Sequence, residues 1–82
     1  MWKYTVQVSG MMCGMCESHV NDAVRRAFAI KKVASSRSKG ETTVVTEQEL
    51  DEDALRDAIA AIGYEVGEIR KEPYVKRGLF GR

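Results

Sequence analysis

Two cysteines stand two residues apart in the segment GMMCGMC at positions 10–16, and they are the only cysteines among the 82 residues. Thiolates are soft, polarizable donors that favour Cu(I), zinc and iron–sulfur clusters over magnesium or calcium. The two-residue spacing lets a loop turn both sulfur atoms toward one point. The segment therefore predicts a soft-metal site with Cys13 and Cys16 as its ligands.

The number of available ligands narrows the choice of metal ion. Structural zinc takes four tightly held ligands, whereas this sequence offers two cysteines and one histidine. Cu(I) accepts two nearly opposed thiolates, and such an open site can receive a third thiolate from a partner, so that transfer proceeds by ligand exchange. We expect Cu(I) as the cargo, and Zn(II) or another soft divalent ion, Cd(II) or Hg(II), as the alternative.

His19 follows Cys16 by three residues, which on a helix are neighbouring positions of one face. It could supply a third ligand or a proton-sensitive partner for the thiolates. The other interpretation is a solvated helix histidine, because its side chain would have to bend back over the start of the helix. The residues alone leave both interpretations open.

A Cys-x-x-Cys pair at a strand-to-helix junction is also typical of thiol-disulfide oxidoreductases. Those folds place a proline between the cysteines and another beside the active site in mid-chain. Here the only proline is Pro73, near the end of the sequence. The redox interpretation is therefore kept as a rival to metal binding.

Composition restricts the class of protein. Thirteen basic and twelve acidic residues give a formal charge of +1, too little to attract nucleic acid or an anionic membrane. The apolar stretches are short, and the N-terminus lacks the long apolar run of a secretory signal. We expect a soluble, cytoplasmic protein without stable membrane insertion. Because a domain of this size is too small for a deep catalytic pocket, we also expect a binding module and not an enzyme.

The apolar pattern predicts six elements. Alternation through Tyr4, Val6 and Val8 indicates a strand, and a stripe at three- and four-residue spacing from position 20 to 28 indicates a helix. Segments 33–38 and 42–46 read as a hairpin turning at Lys39 and Gly40.

A second helix follows, capped by Asp51, with a buried stripe that reaches Ile62 and a stop at Gly63, before a final strand over about 64–70. The order βαββαβ predicts an α+β, ferredoxin-like sandwich, with two helices on one face of a four-stranded antiparallel sheet.

The run Met11-Met12-Cys13-Gly14-Met15-Cys16 resembles the MxCxxC motif of the heavy-metal-associated domain family. That family includes small bacterial copper chaperones and the amino-terminal domains of copper-transporting P-type ATPases. The resemblance extends over roughly residues 3–70, including Gly10 before the motif and Gly63-Tyr64 before the last strand. It implies a copper-transporting P-type ATPase, or its metal-binding domain, as the partner, and allows a homodimer in which one metal ion is shared by four thiolates.

The resemblance also implies roles for residues near the cysteines. Met11 would pack beneath the loop and not bind the metal, although its thioether suits Cu(I). Tyr64 would lie near the metal loop and shield it. Family members that prefer divalent ions often carry a carboxylate before the first cysteine, and Met12 in that place favours Cu(I). Met12 and Met15 would form an exposed apolar surface around the cysteines, available to a docking partner.

The predicted domain covers residues 1–71, and the tail 72–82 is expected to be flexible. Docking of Leu79 and Phe80 onto a partner or membrane is the alternative for the tail. We expect a free-standing chaperone and not an excised domain of a transporter.

Two further expectations concern polar residues. Glu17 and Glu49 are interpreted as solvated charges. Ser35, Arg37 and Thr42 fall at strand positions where the family has larger apolar residues, which predicts a thin core in the hairpin. We expect the metal loop to be unaffected, because it is predicted to lie at the opposite end of the first strand from the hairpin.

Overall fold

The computed structural model describes residues 1–74. The elements in chain order are β1 (Trp2–Ser9), α1 (Gly14–Ala27), β2 (Lys32–Ser36), β3 (Glu41–Thr46), α2 (Glu52–Ala60) and β4 (Glu65–Pro73). The four strands form one sheet in the order β2-β3-β1-β4, and every neighbouring pair is antiparallel. The predicted βαββαβ, ferredoxin-like fold is confirmed.

The core lies between the sheet and the two helices. Alternation along β1 places Tyr4, Val6 and Val8 on the inner face, as predicted. These side chains, with Val33 and Val44 of the sheet, pack against Val20 and Val24 of α1 and Leu55 and Ile59 of α2. Ile62, predicted to belong to the buried stripe, is instead 41% exposed, because α2 ends before it at Ala60.

Both ends of α2 are fixed as the sequence predicts. The Asp51 carboxylate accepts a hydrogen bond of 2.9 Å from the backbone N–H of Asp53, as expected of an N-cap. Gly63 follows the helix with φ +98°, a conformation that side chains other than glycine rarely adopt. Just before the cap, the Tyr4 hydroxyl accepts from the Leu50 N–H at 2.8 Å and donates to the Leu50 carbonyl at 3.2 Å.

Polar side chains joined by hydrogen bonds occupy the core of the hairpin. Thr42 is completely buried, and its hydroxyl lies 2.8 Å from that of Ser35, which in turn donates to the Asn21 side chain of α1 at 2.7 Å. A hydrogen-bonded chain thus links α1, β2 and β3 where larger apolar residues were expected. Arg37 lies beyond the end of β2, in the turn.

Strand register brings three loops to one end of the sheet. Gln7 pairs with Glu41 at the start of β3, and Ser9 pairs with Glu65 at the start of β4. The β2–β3 turn and the α2–β4 loop therefore flank the cysteine segment that follows β1. The expectation that the hairpin turn lies at the opposite end of β1 is wrong, since an antiparallel neighbour of β1 must begin where β1 ends.

Strand β4 continues through Pro73, so Glu72 and Pro73, assigned to the tail, pair with Lys3 and Trp2 of β1. Proline is tolerated here because β4 is an edge strand.

Beside this strand, Glu49 is not simply solvated, because its carboxylate accepts a hydrogen bond from Lys71 Nζ at 2.6 Å.

The predictions for Leu79 and Phe80 lie outside the described residues. No helix within residues 1–74 is long and apolar enough to cross a membrane.

Candidate metal centre

The two cysteines occupy defined positions at the start of α1. Cys13 is the N-cap residue, in extended conformation, and its carbonyl accepts from the N–H groups of Cys16 at 3.0 Å and Glu17 at 3.2 Å. Cys16 is therefore the third residue of the helix. Side chains at the N-cap and third positions face each other, as they do in a capping box. The two-residue spacing thus directs both sulfur atoms to the same side of the helix start.

Both thiols are free, and the Sγ atoms lie 4.0 Å apart, with Cys13 donating to Cys16. Two metal–sulfur bonds of about 2.3 Å place the sulfur atoms about 3.8 Å apart at a tetrahedral angle and about 4.6 Å apart when opposed. The observed separation falls between these limits. A soft ion can therefore be held by either arrangement after movements of a few tenths of an ångström.

Tyr64 lies beside the loop, as the resemblance implied. One of its ring carbons lies 3.4 Å from the position that a Cβ at Gly10 would occupy, and Gly10 itself has φ +101°. Glycine at position 10 thus combines a backbone conformation unfavourable to other residues with close packing against the ring. The pairing of Ser9 with Glu65 explains why the residue just before β4 reaches this loop.

The environment lowers the pKa of Cys16 to about 7. A hydrogen bond from the Tyr64 side chain is the largest cause, followed by backbone hydrogen bonding at Met12, and these outweigh partial burial. The same interaction raises the pKa of the Tyr64 hydroxyl. Cys16 is therefore substantially ionised near neutral pH, before any metal binds.

The three methionines of the loop separate into two environments. Met11 is 8% exposed and belongs to the core beneath the loop, in agreement with the expectation that it packs there. Met12 is 82% exposed and Met15 is 67% exposed, again as expected. Apolar surface is thus exposed at the residue before each cysteine.

His19 is not brought into a ligand cluster with the cysteines. It is exposed and lines a shallow groove with Asp22, Ala23, Arg26 and Ile62. Within residues 1–74 there is no group of three or more histidine, cysteine, aspartate or glutamate side chains arranged to hold a metal ion. The described part of the chain thus offers two ligands, Cys13 and Cys16.

Two charged residues next to the motif have partners that sequence reasoning missed. Glu17, interpreted as a solvated charge, accepts a 2.7 Å hydrogen bond from the backbone N–H of Arg37. Its carboxylate also lies 3.6 Å from Arg37 Nη1. The signal that could have found this contact is topological, since an antiparallel hairpin beside β1 must turn next to the cysteine loop.

The model of the heavy-metal-associated domain matches residues 5–65, which is most of the chain. The chain belongs to this family. Among curated relatives, the mercuric reductases of Shigella flexneri and Staphylococcus aureus are 33% and 36% identical over 60 and 73 residues, or 73% and 85% of this chain. The chain spans only 11% and 12% of the length of these two proteins.

Solved structures of the same fold include a copper-binding domain and a metallochaperone. A copper-binding domain from HMA7, a P-type ATPase, has a TM-score of 0.74 and 28% identity, with 85% of this chain and 95% of that domain covered. The CopZ metallochaperone has a TM-score of 0.71 and 26% identity, with 79% and 98% covered. These likenesses agree with the ferredoxin-like architecture and with the family assignment.

Proposed function

We propose that this protein is not an enzyme but a metal carrier. It binds one Cu(I) ion between Cys13 and Cys16 and releases the ion by ligand exchange. The observation that carries the proposal is the pair of free thiols 4.0 Å apart at the start of α1, with Cys13 exposed. An exposed ligand can be reached by an incoming thiolate from another protein. Transfer then proceeds through three-coordinate intermediates, in which one incoming thiolate joins before one of the original pair leaves.

A low coordination number supports Cu(I) over zinc. The described residues supply two ligands, whereas a closed zinc site takes four. Met12, which precedes Cys13, is uncharged and exposed, so it adds no carboxylate for a divalent ion. The similar solved domain that is named for copper binding supports the same cargo.

Hg(II) is the second candidate cargo, because the curated relatives are mercuric reductases at 33% and 36% identity. Hg(II) is soft and is also satisfied by two thiolates. Under this alternative the same residues would bind the ion, and the carrier mechanism would be unchanged. The two candidates differ in the charge of the loaded site, which is negative by one with Cu(I) and zero with Hg(II).

For the partner, we propose a metal-transporting P-type ATPase or its metal-binding domain. A similar solved domain comes from a P-type ATPase and has a related fold. Met12 and Met15 would provide apolar contact around the exposed Cys13. A reducing compartment such as the cytoplasm is the proposed location, because the site requires both thiols to stay reduced.

The proposal is tested by anaerobic titration with Cu(I) in competition with bicinchoninate, with Zn(II) and Hg(II) titrated separately. We expect one tightly bound Cu(I) per chain and much weaker Zn(II) binding. Replacing Cys13 and Cys16 by serine should abolish Cu(I) binding, while replacing Met12 by leucine, as a matched loop control, should preserve it. Zn(II) binding tighter than Cu(I) binding, or Cu(I) binding by the serine variant, would refute the assignment.

A further inference from the structure

The side chain of Arg37 lies against the cysteine loop. Its Nη1 atom is 3.6 Å from the position that a Cβ at Gly14 would occupy, and Gly14 lies between the two cysteines in the motif. The same Nη1 atom is 3.6 Å from a carboxylate oxygen of Glu17, which follows Cys16. A guanidinium group therefore stands beside the backbone that joins the two thiols.

The position of Arg37 does not depend on its long side chain alone. Its backbone N–H donates to the Glu17 carboxylate at 2.7 Å, a charge-assisted hydrogen bond that fastens the β2–β3 turn to the first turn of α1. The N–H of Val8 donates to the carbonyl of Gly40 at 2.9 Å and holds the same turn to the end of β1. The turn is thus anchored on both sides of the cysteine loop.

The charge of the loaded site depends on the cargo. Two thiolates and a monovalent ion leave a net charge of −1, whereas two thiolates and a divalent ion leave zero. A nearby cation therefore stabilises the first complex relative to the second, whatever charge the metal-free thiols carry. The Glu17 carboxylate has the opposite effect, because its negative charge repels an anionic complex. Its side chain is only 26% exposed, so water screens this charge incompletely. Arg37 therefore also offsets the charge of Glu17.

We propose that Arg37 is a specificity-determining residue of the metal site, which favours a monovalent over a divalent cargo, and that Glu17 holds it in place. The inference rests on the proposed two-thiolate function and adds a residue outside the motif to it. A unit charge on the order of 6 Å away in a watery environment changes the ratio of the two binding constants about threefold. Opposite changes in this ratio are expected for Arg37→Gln and Glu17→Gln, because the amide oxygen of a glutamine at position 17 can still accept from the Arg37 N–H.

The test compares Cu(I) and Zn(II) affinities of Arg37→Gln, Glu17→Gln and Arg37→Lys by competition titration. Arg37→Gln should lower the ratio of Cu(I) to Zn(II) affinity about threefold, Glu17→Gln should raise this ratio by a similar factor, and Arg37→Lys should restore most of the loss. The difference between Arg37→Gln and the unmodified protein should shrink at high salt, because this charge is partly exposed.

Arg25→Gln provides the matched control. Arg25 is also partly exposed and paired with a carboxylate, that of Asp22 at 3.7 Å, and its loss changes the net charge equally. It lies 11 residues farther along α1 than Gly14, about 16 Å away along the helix, so its loss should leave the ratio of Cu(I) to Zn(II) affinity unchanged. Thermal melting of each variant checks that the fold is intact.

Two results would overturn the inference without affecting the two-thiolate site. They are an unchanged ratio of Cu(I) to Zn(II) affinity in Arg37→Gln, and a lowering of this ratio by both Arg37→Gln and Glu17→Gln. The second pattern would mean that the pair acts only as a structural clamp. Failure of the proposed function itself would appear differently, as metal binding that survives the loss of both cysteines.

Discussion

Removing the Tyr64 hydroxyl tests how the fold prepares Cys16 for metal binding. The Cys16 pKa of about 7 results from four hydrogen-bonding contributions that outweigh burial and lower it from 9.0, and Tyr64 makes the largest of them. Its loss should therefore raise the Cys16 pKa, and we expect an increase of about one pH unit in Tyr64→Phe.

The consequence is a change in thiolate population at neutral pH. With a pKa of about 7, half of the Cys16 side chains are ionised at pH 7. A pKa higher by about one unit leaves about one tenth ionised, so alkylation at pH 7 should slow about fivefold. Above about pH 9 the two proteins should react at similar rates, because both thiols are then ionised.

The assay is the pH dependence of iodoacetamide alkylation of metal-free protein in a Cys13→Ser background, so that Cys16 is the only thiol. The midpoint of the rate profile reports its pKa directly. Tyr74→Phe is the control, because Tyr74 lies at the other end of the sheet, where its N–H donates to the Met1 carbonyl. An unchanged midpoint in Tyr64→Phe would refute the assigned cause of the lowered pKa.

Three further predictions concern stability and are measured by chemical denaturation. Tyr4→Phe leaves the backbone N–H and carbonyl of Leu50 without their buried partner and should cost about 1–3 kcal/mol. Asp51→Ala removes the N-cap of α2 and should cost about 1 kcal/mol, whereas Asp51→Asn should retain most of the stability. Gly63→Ala should cost about 1–2 kcal/mol because the residue has φ +98°, and an unchanged stability there would contradict the assigned backbone strain.

The elements and the cysteine loop could be predicted because their signals are local. Alternation in β1, the cap at Asp51 and the stop at Gly63 each depend on a few neighbouring residues. The inner-face position of Tyr4 follows from the same local patterns, whereas the exposure of Met12 was implied by the family resemblance. The family resemblance added Tyr64, which the register of β4 against β1 then places beside the loop.

The polar contacts between elements were not predictable from local patterns. Arg37 was assigned to a strand and Glu17 to solvent, yet strand pairing brings the hairpin turn to the start of α1 and joins them. Thr42 looked like a weak core residue because its hydroxyl partner, Ser35, lies on another strand. Such pairs depend on the packing of separate elements, to which sequence periodicity is insensitive.

The central claim is that one Cu(I) ion is held by Cys13 and Cys16 alone. X-ray absorption spectroscopy at the copper edge on protein loaded with one equivalent of Cu(I), together with the mass of the loaded species, tests it most directly. We expect two sulfur ligands, no nitrogen ligand and a monomer, with an unchanged spectrum in His19→Ala. A third ligand lost in His19→Ala, or a dimer in which four sulfur atoms surround the metal, would contradict the account.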